Sequence, residues 1–312
     1  MQYIIKKIGI LIITLFLISV LSFAAFNIIP GDAAVVMLGT QASDESISNL
    51  REELGLNKSV VTQYTDWVTK FIKGDYGKSI KYTRPVRAII SERIPITIWL
   101  AVISIIIILV ISIPLGIFTA KKANSISNVL ISGITIIGIS VPGFFLAVII
   151  MWIFGFKLHL FAIGGYISPS ESVLGFIKYM IFPAVAISFS SIAILIKYLR
   201  SSVISELRSD YVRTAYSKGN SENAVLYKHV LRNSIVTVIS LIGMIVSSVF
   251  SGSIIVEQIF SVPGIGSLLI TAINARDFPL TQALVVYIAA IVVITNTLVD
   301  IGVQIIDPRI RI

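Results

Sequence analysis

The sequence predicts an all-α, polytopic membrane protein with six transmembrane helices and a long extracytoplasmic helical loop after the first. Three observations carry this. Of 312 residues, 56% are hydrophobic and only 13% charged, with a mean hydropathy of +0.94; a soluble domain of this size needs many more charges to cover its surface. Six uncharged runs reach or approach the roughly 20 apolar residues that cross a hydrocarbon layer about 30 Å thick. Basic residues, finally, gather in alternate connecting segments, the pattern of cytoplasmic loops. The net charge of +9 is therefore read as basic loops rather than as a nucleic-acid surface. The chain has no cysteine, which excludes disulfides, thiolate metal sites and cysteine nucleophiles.

The runs are 8–29, 94–120, 123–156, 179–196, 233–256 and 278–299. The first follows Lys6 and Lys7 and contains "SFAAF", whose small residues suggest a cleavage site. Its length exceeds a usual signal core and five runs follow, so an uncleaved span is expected. The second contains Pro114, read as a packing kink. The third is too long for one span; "ANSISN" at its start belongs to the preceding turn, and the helix is expected from near Val129. Pro142-Gly143 interrupts it within "GISVPGFF". Two readings stand side by side there, a packing kink and a bend lining a pathway. The fourth run is the shortest, with Lys178 and Lys197 placed to snorkel at its ends.

With the N-terminus inside, thirteen Lys and Arg fall on inner segments and three (Lys157, Lys178, Arg276) on short outer loops. The remaining nine lie in the loop 30–93, long enough to escape the positive-inside bias. Both termini are expected in the cytoplasm. No ionisable residue lies deep within a run as bounded above; Asp300 sits at the inner end of the last. Proton-driven carriers usually need such residues, and an intramembrane protease needs a Ser/His or Asp/Asp pair that is missing here. His159 and His229 fall near opposite faces, too far apart to share a metal.

The long outer loop carries two helical patterns. Ser43 caps the first, with Asp44 and Glu45 in its opening turn; Ile47, Leu50 and Leu54 share a face and Gly55 stops it. Val60, Tyr64, Trp67, Val68 and Phe71 repeat the pattern up to Gly74. The two are read as helices lying over the spans. "GDYGKS" (74–79) ends like a phosphate-binding loop, but that loop needs a glycine at position 72, which is isoleucine.

The charged segment between Lys197 and Asn233 fits two short helices with a break. The first runs through "DYVRTAYSK", with Tyr211, Ala215 and Lys218 along one side; Gly219 takes the left-handed cap position. Asn220 or Ser221 caps the next, with Glu222 in its first turn and Val225, Leu226 and Val230 on its apolar side. Helices this short are marginal in water and need something to pack against.

This segment resembles the cytoplasmic EAA loop of ABC importer permeases, whose pattern is E-A-A, three residues, G, nine residues, I-x-L-P. Arg213-Thr214-Ala215 stands for E-A-A, Gly219 has the right spacing, Leu231 matches, and His229 and Arg232 depart from the pattern. The likeness is closer to the peptide and nickel branch, which typically reads "DYVRTARAKG…VLLRHALRN" where this chain reads "DYVRTAYSKG…VLYKHVLRN". "PGDAAVVMLG", "LREELGLNKSVVTQY", "GDYGKS…RPV" and "ERIPITIWL" resemble that branch's first outer loop. "VEQIFSVPGIGSLLITAINARDFPLTQ" resembles its loop between the last two spans, carrying Glu257, Pro263, Gly264, Gly266, Asp277 and Pro279.

The resemblance covers nearly the whole chain and implies a B-type permease with the type I ABC importer fold. It implies a first span at 1–29, an outer loop at 30–93, a permease core at 94–306 with its coupling loop at about 198–234, and a cytoplasmic tail at 307–312. The coupling residues would be Asp210, Tyr211, Arg213, Thr214, Ala215, Lys218, Gly219, Asn220 and Ser221. Ala215 would be small to allow close approach of a partner, and Arg213 would reach its acidic or carbonyl groups. The implied partners are separate cytoplasmic ATPase subunits, a homologous C-type permease and an extracytoplasmic substrate-binding protein. ATP would be used by the ATPase, with no cofactor or metal on this chain. The cargo would be di- or oligopeptides, or alternatively nickel or another metal chelate.

Overall fold

The computed structural model describes residues 2–28, 35, 43–53, 55–122 and 125–306. The "PGDAAVVMLG" stretch apart from Val35, Leu54, the first two residues of "ANSISN", the tail 307–312 and the side chain of Leu50 lie outside the described residues. The described chain is helical: α1 (Gln2–Ile28), α2 (Asp44–Glu53), α3 (Val60–Ile72), α4 (Val86–Lys121), α5 (Ile126–Ser140) and α6 (Gly143–Ile150), the last prolonged by a π-helical segment, Met151–Lys157. After these come α7 (Val173–Leu207), α8 (Asp210–Ser217), α9 (Glu222–Ala224) with a second π-helical segment, Val225–Val230, and then α10 (Leu231–Phe260), α11 (Ile265–Asn274) and α12 (Phe278–Ile306).

Among the described residues, five helices are long and apolar enough to cross a membrane: Ile4–Phe26, Val86–Lys121, Val173–Leu207, Leu241–Phe260 and Phe278–Gly302. The sixth expected span is a pair, Ile126–Ser140 and Gly143–Lys157, meeting at 103°. Each arm has 15 residues, about 22 Å of helix, too short to cross alone. Ser125, not the region of Val129, starts this span: its Oγ accepts the Asn128 N–H at 3.3 Å and caps α5. The fourth span also outruns its apolar stretch, because Lys178, Lys197 and Arg200 are accommodated in one 35-residue helix. The helix runs on through the start of the charged segment expected near 198 and ends at Leu207, with Arg208 its cap.

The chain divides into two compact units, 1–96 with 263–294, and 97–262 with 295–312. In the first, Val86, Ile89 and Ile90 of α4 are buried with Ile265, Leu268 and Ala272 of α11 and Leu280, Ala283 and Leu284 of α12. Helix α3 lies against α1. Tyr64 shares a 2.8 Å hydrogen bond with Ser19, and Phe23 stacks near Tyr64 and Trp67. The aromatic series continues through Phe71 and Tyr76 to Tyr287. Of the face expected on α3, Val60 is exposed, while Tyr64, Trp67, Val68 and Phe71 are partly buried. Gly55 and Gly74 both follow their helices with positive φ, +68° and +83°.

In the second unit α7 is central, packed by α5, α6 and α10. Shape explains its closeness to α5: a β-carbon on Gly138 would stand 2.8 Å from that of Ala193. Ser188 Oγ, fully buried, donates to its own Ala184 carbonyl at 2.6 Å and reaches the Ser104 carbonyl of α4 at 3.0 Å.

Candidate functional site

Two groups of residues stand out: the charged helix pair between α7 and α10, and buried carboxylates near the ends of the last spans.

Helix α8 begins after Ser209 and ends in a Schellman arrangement. The Gly219 N–H donates to Tyr216 O at 2.9 Å and the Asn220 N–H to Ala215 O at 3.4 Å, with Gly219 at φ +79°. The Asn220 side-chain amide adds a 2.9 Å bond to the same Ala215 carbonyl. Of the two cap candidates, Ser221 takes the role, its Oγ accepting the Ala224 N–H at 3.4 Å.

Val212 and Ala215, three apart, form the buried face of α8. They pack the helix on the Val225–Val230 segment, where Val225, Leu226 and Val230 are buried. This corrects the expected side of Tyr211, Ala215 and Lys218: Val212 is the apolar residue that selects the inward direction, and Lys218 is exposed. It also corrects the role of Ala215, which is buried within this chain and unavailable to a partner. The expected second short helix is not separate either, since helical structure runs from Glu222 through the π segment into α10.

What the segment presents outward is Asp210, Arg213, Thr214, Tyr216 and Lys218. Arg213 and Asp210 approach to 3.8 Å with both side chains more than four-fifths exposed, so the pair holds neither tightly. Tyr211 donates to Glu206 at 2.5 Å. Its burial and then this bond push the phenol above its ordinary pKa, so it stays a neutral donor. Lys121, at the end of α4, donates to Asn223 Oδ1 at 2.7 Å and ties α9 to that helix.

At the third-span break, the Val141 carbonyl accepts from Ser190 Oγ of α7 at 3.2 Å, and the Pro142 carbonyl accepts the Phe145 N–H at 3.0 Å. The Val141 carbonyl at the break is thus taken by a side chain of α7, the kind of protein partner that a break at membrane depth calls for. A β-carbon on Gly143 would meet the Ala186 carbonyl at an ordinary 3.5 Å.

The remaining signature residues are structural in placement. Glu257, expected in a loop, lies in the last turn of α10, fully buried, where its Oε1 accepts from Thr97 Oγ1 at 2.6 Å. Pro263 offers its carbonyl to Arg93 at 3.1 Å; Gly264 is the N-cap residue of α11 and Gly266 is buried within it. Asp277 is fully buried: Oδ2 accepts from Ser79 Oγ at 2.5 Å and the Lys81 N–H at 3.1 Å, and Oδ1 from the Leu280 N–H at 3.3 Å. Pro279 lies in the first turn of α12, where a missing N–H is harmless, and next to Gly77. "GKS" thus lies just before a turn, with Lys78 bridged to Pro85 and the serine holding Asp277. The sequence marks Asp277 but not Ser79, Lys81 or Thr97 as partners.

A multi-span helical membrane protein with a charged, glycine-broken helix pair between two spans is the class that this fold defines. Residues 112–312 match the family of binding-protein-dependent transport system inner membrane components, and residues 1–101 match the N-terminal region of such membrane components. The chain belongs to this family, the permeases of ABC importers. It is 36% identical over 312 residues to the oligopeptide transport system permease protein AppB of Bacillus subtilis, covering 99% of both chains. To the dipeptide transport system permease protein DppB of Lactococcus lactis it is 34% identical over 312 residues, covering 100% of this chain and 99% of that one. The DppB of Alkalihalophilus pseudofirmus is 33% identical over 331 residues, with 100% and 99% covered.

Proposed function

We propose that this permease imports di- or oligopeptides as one half of a translocation pathway and couples to a separate ATPase through α8 and the Gly219 turn. The carrying observation is the division of α8: Val212 and Ala215 anchor it to its own chain, while Asp210, Arg213, Tyr216 and Lys218 remain presented. A merely solvated loop has no need of such an anchored, charged face. Peptide cargo is favoured over nickel or another metal chelate by the names of the full-length relatives above. ATP is hydrolysed on the partner subunits, a homologous C-type permease supplies the other half of the pathway, and a substrate-binding protein delivers cargo. Both chain termini face the cytoplasm, as does α8.

Gly219→Val tests this. The space about Gly219 is open, with nothing within 4 Å of an added β-carbon, so the penalty is the left-handed backbone alone, roughly 1–2 kcal/mol. The spans should insert normally while peptide uptake falls and the ATPase either detaches or hydrolyses ATP without transport. Arg213→Ala should weaken ATPase retention in the same direction. Wild-type uptake and wild-type ATPase co-purification in both variants would refute the coupling role.

A further inference from the structure

Beside the Asp277 cluster, a groove of about 530 Å³ opens between the C-terminal end of α1 and the N-terminal end of α12. Its walls are Ala25 and Phe26 of α1, Ile273 of α11, and Phe278, Thr281 and Val285 of α12, with Ser22 and Arg276 its other polar members. The size lies within the range of small-ligand sites, but most of the walls belong to two membrane-crossing helices. Those helix ends mark the level where hydrocarbon gives way to headgroups. Phe26 and Phe278 meet edge to face there, 6.1 Å between centroids.

Two features of the groove have no use within the described residues. Ser22 Oγ is buried and has no hydrogen-bond partner there. Arg276 is exposed, makes no ion pair there, and sits at φ +52°. The Arg276 N–H donates to Ile273 O at 3.0 Å and the Asp277 N–H to Ala272 O at 2.9 Å. That is the Schellman position where glycine is the low-cost residue. An arginine held there against backbone preference points to a use for its side chain. At this depth the membrane supplies one anion in quantity, the lipid phosphate, for which a guanidinium is the matching donor.

We propose that the groove binds a phospholipid, its acyl chain against Ala25, Phe26, Ile273, Phe278 and Val285 and its phosphate on the Arg276 guanidinium. An apolar chain asks nothing of these walls except burial, whereas a helix of another subunit would have to supply its own acceptor for Arg276. A net-negative headgroup binds better than a zwitterionic one, because the cation then meets no opposing ammonium.

The test uses the full chain in nanodiscs, co-expressed with its transporter subunits, and phosphatidylglycerol carrying a photoreactive diazirine in the acyl chain. Cross-links should map to the stretches 22–26 and 273–285, and unlabelled phosphatidylglycerol should compete better than phosphatidylcholine. Arg276→Gln and Arg276→Gly should each lower labelling about fivefold, the worth of one basic residue at a membrane surface. Arg276→Lys should retain it. Arg276→Gly relieves the backbone while removing the charge, so a loss there cannot come from misfolding of the turn. Val285→Trp, which fills the groove and leaves the arginine, should also abolish labelling. Equal labelling in Arg276→Gln, Arg276→Gly and the parent would overturn the proposal. So would a groove labelled in the isolated chain but shielded in the assembled transporter, which would assign it to a partner subunit.

Discussion

Asp277 accepts three hydrogen bonds without exposing any surface, two of them from a turn 196 and 198 residues earlier in the chain. Removing the acceptor strands buried donors, and each stranded group costs about 1–3 kcal/mol. Asp277→Ala should therefore lower the thermal midpoint of the purified protein more than Ser79→Ala, which leaves Asp277 its two backbone donors and strands the Tyr82 N–H. The double variant should fall short of the sum of the two, since both changes break one contact. Strict additivity would show that Ser79 and Asp277 act independently. None of this pairing was legible in the sequence. Both residues lie within family-like stretches, but hydrophobic periodicity says nothing about which polar side chains meet across such a separation. Glu257 was misplaced for a related reason: a carboxylate beside an apolar run reads as the run's end, whereas a buried threonine, Thr97, lets the helix continue past it.

At the scale of elements, the expected spans were recognisable but their limits were not. Apolar runs report where hydrocarbon can lie, and a helix persists wherever its backbone can hydrogen-bond. That is why α7 runs from Val173 to Leu207 although its uncharged stretch is only 179–196. The break at Pro142 was visible as a proline, but its 103° angle was not. Ser190, which takes the Val141 carbonyl at the break, stands 49 residues further on, where local spacing does not reveal it. Pro142→Ala with Gly143→Ala bears on what the break does. Neither position is sterically closed to a methyl group, so protein levels and assembly should be kept while peptide uptake drops at least severalfold if the bend lines the pathway. Unchanged uptake at normal levels would leave the break a packing feature. In α8 the helix, its glycine stop and the following serine cap were all readable from local spacing. The inward face was not, because Val212 and Tyr211 are both plausible anchors until the surface beneath them is known.

For the whole molecule, the chain's two compact units do not follow the order of its segments: 263–294 groups with 1–96. The proposed orientation can be measured with single cysteines in this cysteine-free chain. Thr83, exposed in the loop before α4, should react with an impermeant maleimide from outside, and Ser221 only after permeabilisation. Ser79 is a poor probe despite its position, being 2% exposed. Labelling of Ser221 in intact cells would invert the orientation and remove α8 from the cytoplasm. Continuity of helix from Glu222 to Phe260 has a mechanical meaning. These residues form one rod about 55 Å long, with the turn at Gly219 as the joint just before it. A shove delivered at the joint has little slack in which to dissipate. Such a displacement would be passed to α7, which packs along α10, and at the far end to α4, whose Thr97 donates to Glu257.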